Sequence, residues 1–222
     1  MQNWIFDLRS RSFVLLVVFF LIILTLVYFK ISEGFDQGVI SFFAKNTGNP
    51  ILDTLMQLIT ESGDIFYMFG FGVVALILKK TRRIGITLMI LIVLTTLLTG
   101  YIKCGVDRER PSLIYEGVSF PVEISHDTFA LFCEGGYNAS FPSGHAARSI
   151  VFGIVLAYAL SQRFPRGCYL LFAYPILVSL SRVYVLEHYP MDVIGGAVLG
   201  IMLTGVLSHK TKLYKVLEKS KT

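Results

Sequence analysis

The feature that most constrains this chain is a series of apolar runs long enough to cross a lipid bilayer. Residues 13–29 are apolar except for Thr25, and residues 84–102 carry no charge at all. A hydrocarbon core about 30 Å thick needs roughly 20 such residues in a helix. Residues 65–78 form a shorter run whose flanking Lys79 and Lys80 can snorkel and extend it. Residues 146–160, 168–180 and 193–207 supply three more. The expected fold is therefore all-α, a single membrane-embedded domain over 1–222. Its six transmembrane helices fall at about 12–29, 65–80, 84–102, 145–161, 168–186 and 191–208. The first run is too long for a signal peptide and no small-residue cleavage site follows it, so it is expected to remain as a span.

A different pattern separates the first two spans. Asn49 before Pro50 reads as a helix N-cap followed by the first helical position. Ile51, Leu52, Leu55, Leu58 and Ile59 then recur at helical spacing, with Asp53, Gln57 and Glu61 on other faces. This predicts an additional amphipathic helix, lying at the interface or against the bundle.

Orientation follows from the basic residues. Arg9 and Arg11 precede the first span, and Lys79, Lys80, Arg82 and Arg83 separate the second from the third. Arg163 and Arg166 separate the fourth from the fifth, and Lys210, Lys212, Lys215, Lys219 and Lys221 follow the sixth. A six-span weave puts all four clusters on one side, which is expected to be cytoplasmic together with both termini. The surplus that gives a net charge of +5 is thus accounted for by topology, and no nucleic-acid partner is expected. A charged fraction of only 16%, against about 25% for soluble domains, agrees with a bilayer environment. Nothing in the sequence specifies an oligomeric state. Cys104 and Cys133 map to the outer side, where a disulfide can form; two packed free thiols are the alternative. Asn138-Ala-Ser140 matches a glycosylation sequon, but a glycan there would crowd Ser143, and the match is taken as coincidental.

Three polar clusters fall at the outer ends of spans: 103–111 (KCGVDRERP), 141–149 (FPSGHAARS) and 181–192 (SRVYVLEHYPMD). Lys103, Arg110 and Arg182 are cations from three segments, a combination suited to a multiply charged anion such as phosphate. Lys103 alone also fits simple snorkelling to headgroups. Ser143 and Gly144 precede a span and can form an anion cradle at a helix N-terminus, although Pro-Ser-Gly is also an ordinary cap signal. His145 in that first turn is suited to general acid chemistry beside a phosphate. His188 and Asp192 are four apart, with Pro190 between them suited to opening a helix. Asp192 can then accept from His188 Nδ1–H and leave Nε2 to attack; a polar pair capping the last span is the alternative. No carboxylate cluster suited to magnesium and no zinc-ligand spacing is present, so neither metal nor cofactor is expected.

These residues resemble the tripartite signature of the type 2 phosphatidic acid phosphatase and vanadium haloperoxidase superfamily, in its integral-membrane branch. Lys103 with Arg110-Pro111, the run Pro142-Ser143-Gly144-His145, and Ser181-Arg182 with His188 and Asp192 match it position by position. The resemblance implies that Lys103, Arg110, Ser143, Gly144 and Arg182 bind phosphate. It further implies that His188 is the nucleophile oriented by Asp192, that His145 is the general acid and base, and that vanadate inhibits. Arg148 is a candidate contact to a second phosphate, with interfacial snorkelling as its alternative. Asp107, Arg108 and Glu109 receive no role, Glu187 is expected to be solvated, and His126 and His209 to do no chemistry. The expected substrate is a lipid phosphate or diphosphate met at the extracytoplasmic face. A polyprenyl diphosphate of undecaprenyl or dolichyl type is favoured, with phosphatidylglycerol phosphate or phosphatidate as the alternative. An ion-transport protein would carry charges through the depth of several spans, whereas here they gather at one face. A catalytically dead lipid-binding relative would not need His145, His188 and Asp192 together.

Overall fold

A computed structural model of the chain describes residues 8, 10–114, 133, 138–161 and 163–211. Among them every regular element is helical, and the β pairing is a single isolated bridge between Glu109 and Ala139. In chain order the helices are α1 (Arg11–Tyr28), α2 (Glu33–Asn46), α3 (Pro50–Ser62), α4 (Ile65–Ile77) and α5 (Arg82–Val106). There follow α6 (Pro111–Ile114), α7 (Gly144–Leu160), a 3-10 segment (Gly167–Phe172), α8 (Ala173–Tyr184) and α9 (Pro190–Thr211).

Four segments are long and apolar enough to cross a membrane: α1, α5, the 3-10 segment with α8, and α9. The 13 residues of α4 rise only about 20 Å, short of a hydrocarbon core. Together with α3, however, α4 makes a fifth candidate span, bent by 52°. Helix α7 is apolar but has only 17 residues. Large apolar side chains point outward along these helices: on α1, Leu15 is 67% exposed, with Val14, Val18, Leu21 and Ile22 beside it. Such continuous apolar surface is unfavourable in water and suits lipid. The chain is an integral membrane protein.

The segment predicted to be amphipathic is helical from Pro50, with Asn49 accepting from Ile51 and Leu52 N–H as an N-cap. Its polarity is directed inward. Asp53, Gln57 and Thr60 are buried, while Ile51, Leu55 and Leu58 are exposed. The buried edge meets α8, where the Tyr184 hydroxyl donates a short bond to Asp53 and the Tyr174 hydroxyl donates to Ser62 O at 2.8 Å. Helix α2 has no counterpart in the sequence reading. Its apolar positions are irregular and its start, at Ser32, carries no side-chain cap. It is anchored instead by the buried Asp36 and Ile40.

Helix α7 lies at the centre, buried along most of its length. Close approach to α9 is set by glycine: a Cβ at Gly196 would come within 2.3 Å of Ser143 O, and one at Gly200 within 2.5 Å of Ala147 O. On α5, Leu88, Ile92, Thr95, Thr99 and Lys103 form one buried stripe at helical spacing. Lys103 closes this stripe in the last turn of α5.

Candidate active site

The 181–192 segment is a helix end, a reversal and a helix start. Helix α8 stops at Tyr184, and Leu186 takes a left-handed conformation (φ 60°), costly for a branched side chain. Its side chain offsets that cost, being buried among Ile40, Ala146, Val183, Tyr189 and Val193. The reversal brings Glu187 N–H and His188 N–H onto the same carbonyl, Arg182 O, at 3.1 and 3.2 Å. Pro190 opens α9 as expected, and Asp192 accepts from Tyr189 N–H at 2.8 Å, closing the first turn. Arg182, Glu187, His188 and Asp192 thereby converge from one short segment.

The cationic side of the site is drawn onto Glu187. Its Oε2 accepts from Arg110 Nη1 at 2.7 Å and from Arg182 Nη2 at 3.2 Å, and all three side chains are buried. Arg182 also reaches the Thr60 hydroxyl at 3.4 Å, so the end of α3 forms part of the wall. Lys103 is buried at the last turn of α5. Asp107, left-handed at φ 47°, terminates that helix by returning its N–H to Lys103 O.

The second cluster is fixed to the third. Ser143 caps α7, its Oγ accepting from Ala146 N–H, and its own N–H donates to Asp192 O at 2.9 Å. Gly144 and His145 occupy the first turn, fully buried. A Cβ at Gly63 would lie 3.3 Å from His145 Cδ2, so the α3–α4 turn also packs on this histidine. Arg148 Nη2 is 3.4 Å from His145 Nδ1 and the residue is only 1% exposed. Interfacial snorkelling is therefore corrected: Arg148 belongs to the buried cluster.

Asp192 is held by several donors. Oδ2 accepts from Tyr189 N–H and a short bond from the Ser140 hydroxyl, while Oδ1 accepts from Arg108 Nη1 at 2.7 Å. His188 Nδ1 lies 3.9 Å from Oδ2, an ion-pair distance beyond hydrogen-bond length. Arg108 Nη2 donates to Asp36 at 2.8 Å, and its guanidinium stacks 4.0 Å over the Tyr189 ring. Burial works against the charge on Arg108, but Asp192 and Asp36 outweigh it and raise its pKa above the ordinary arginine value. Asp36 is fixed further by the Ser32 hydroxyl and Met191 N–H.

Arg110, Ser143, Gly144, His145, Arg148, Arg182, His188 and Asp192, singled out from the sequence, are thus buried in this region, and Lys103 is buried at the end of α5. Two further expectations are corrected. Glu187 is not solvated but 2% exposed between two arginines, and Arg108, given no role, bridges two buried carboxylates. Asp36 and Ser140 were not anticipated at all. Cys104 and Cys133 form a disulfide. In the sequon, Asn138 is exposed, whereas Ser140 is buried with its hydroxyl engaged by Asp192. His126 and the side chain of His209 lie outside the described residues. Among the described residues no group of three or more His, Cys, Asp and Glu is arranged to hold a metal ion.

Similarity to known proteins agrees with this arrangement. The pattern of the PAP2 superfamily matches residues 84–214. An undecaprenyl-diphosphatase of Sulfolobus acidocaldarius is 30% identical over 199 residues, covering 87% of this chain and 88% of that protein. Phosphatidylglycerophosphatase B of Bacillus subtilis is 26% identical over 198 residues, 85% of this chain and 89% of that one. The crystal structure of a transmembrane PAP2-type phosphatidylglycerolphosphate phosphatase from Bacillus subtilis superposes with a TM-score of 0.72. At 23% identity it covers 91% of this chain and 97% of its own, and it shares the fold. Since the matched pattern spans more than half of the sequence and carries all three polar clusters, the chain belongs to the PAP2 superfamily.

Proposed function

We propose that this protein is a lipid phosphatase working through a histidine nucleophile, without a metal, at the extracytoplasmic face. The observation that carries the reading is the convergence of Arg110 and Arg182 on one buried anionic oxygen beside His188. A site that draws two guanidinium groups onto an anion is suited to a phosphoryl group.

In the proposed cycle, Lys103, Arg110, Arg182 and the Ser143–Gly144 N-terminus of α7 hold the phosphate oxygens. His188 Nε2 attacks phosphorus, the phosphorus–oxygen bond to the leaving group breaks, and His145 supplies the proton to that oxygen. Asp192 faces the Nδ1 side of His188; hydrogen bonds of this type are often long without substrate and tighten with it. Water then attacks phosphohistidine, its proton passes to His145, and inorganic phosphate leaves with cleavage of the phosphorus–nitrogen bond. Arg148 Nη2 lies 3.4 Å from His145 Nδ1, and the proposed cycle assigns the exchanged proton to Nε2.

The topology proposed is six crossings, counting the bent α3–α4 pair and the short α7 as one each, with both termini cytoplasmic. Two features support it. Arg82 and Arg83 start α5 at the end opposite Lys103, as the positive-inside rule requires. The Cys104–Cys133 disulfide lies on the side of the site, where oxidising conditions are expected.

Among substrates, a polyprenyl diphosphate is favoured. Arg148 is a further buried cation beyond the three phosphate ligands, and the Sulfolobus relative is an undecaprenyl-diphosphatase. Phosphatidylglycerol phosphate is the second reading, favoured by the Bacillus relative. Phosphate release from undecaprenyl diphosphate, phosphatidylglycerol phosphate and phosphatidate, compared in one detergent, tests both. The diphosphate is expected to give the highest kcat/KM; an equal or lower kcat/KM than the glycerolipids would contradict that preference.

A further inference from the structure

Glu187 is an anion in contact with both phosphate-binding arginines. Arg110 Nη1 donates to the Glu187 carboxylate at Oε2 (2.7 Å) and, more loosely at 3.4 Å, to the Glu187 main-chain carbonyl oxygen. The same Oε2 meets Arg182 Nη2. It is carried by the residue adjoining His188, on a turn whose backbone is fixed to Arg182 O. Two guanidinium groups drawn to one buried oxygen repel each other unless an anion lies between them.

We propose that Glu187 is a built-in counter-anion of the phosphate subsite. It neutralises Arg110 and Arg182 between turnovers, yields them to the incoming phosphate, and returns to speed release of the inorganic product. The inference rests on the phosphatase reading of the site. Its physical basis is charge. A phosphate oxygen bound by Arg110 and Arg182 takes the donors that Glu187 Oε2 holds, so substrate either displaces the carboxylate or sits beside it. Both cases oppose binding of any anion there by one negative charge at close range. Without that charge the subsite would be more cationic and would retain its dianionic product. An ordinary structural ion pair predicts the reverse: loosening it would disorder the arginines and weaken anion binding.

The test compares full-length wild-type protein with Glu187→Gln in detergent, reading inhibition of phosphate release by orthovanadate and by inorganic phosphate. Gln retains the shape and an acceptor oxygen but removes the charge. The expected result is inhibition constants at least tenfold lower for both anions in Glu187→Gln, together with a reduced kcat. Unchanged or higher constants would overturn the inference while leaving the phosphatase reading intact. A wild-type protein that releases phosphate from none of the lipids would overturn that reading, and the inference with it. If Glu187→Gln does not fold, Glu187→Asp decides by the same sign, since it withdraws the carboxylate by one methylene; lower constants support the inference and unchanged or higher ones overturn it.

Discussion

Arg108 Nη1 lies 2.7 Å from Asp192 Oδ1, joining residues 84 positions apart. The other arm of the guanidinium reaches Asp36 on α2 at 2.8 Å. One arginine thus connects the carboxylate that faces the candidate nucleophile to a helix outside the signature motifs. Two buried acids sharing one cation form a single unit, and removal of any member exposes the others to unpaired burial.

A double-mutant cycle follows from that relationship. Arg108→Ala and Asp36→Asn are each expected to destabilise the protein by about 1.5–3 kcal/mol, the range for hydrogen bonds to charged groups. The double variant should lose clearly less than the sum, with a coupling of about 0.5–3 kcal/mol. Thermal or denaturant unfolding in one detergent measures it; strict additivity would mean the two residues act separately.

Asp192→Asn can keep one acceptor oxygen for Tyr189 N–H and the Ser140 hydroxyl but turns an amide N–H₂ towards Arg108 Nη1, so the variant is expected to fold with stability lowered by about 1.5–3 kcal/mol. It removes the charge facing His188 Nδ1. By the precedent of serine-protease triads, where the same exchange costs about 10⁴ in kcat, turnover should fall by orders of magnitude. Turnover within a few fold of wild type would reduce Asp192 to a helix cap.

Glycine substitutions separate packing from chemistry. At Gly196 a Cβ would collide with Ser143 O, a backbone atom that cannot move aside cheaply. Gly196→Ala is expected to cost about 1–3 kcal/mol and to lower activity, because Ser143 begins the proposed anion cradle. Gly105→Ala, whose Cβ meets nothing within 4 Å, should change neither. Unfolding midpoints and phosphate release, measured side by side, check both.

The local devices were legible because each is written in adjacent residues. Asn49 and Pro50 start α3, and Pro190 starts α9. Glu187, Arg108 and Asp36 could not be read this way. Their significance comes from partners 77, 84 and 72 positions away. A lone acid beside a motif looks the same whether it is solvated or buried. The direction of α3 was hidden for a related reason: in lipid an amphipathic helix turns its apolar edge outward, and only the partners Tyr174 and Tyr184 show which edge is inside.

The central claim is histidine-based, metal-independent phosphate transfer at the cluster formed by His145, His188 and the three cations. Its most direct measurement is phosphate release from undecaprenyl diphosphate by detergent-solubilised protein in excess EDTA, for wild type and His188→Ala. Full wild-type turnover is expected in EDTA, with none above background in the folded variant. Turnover that stops on chelation, or that persists in His188→Ala, would contradict it.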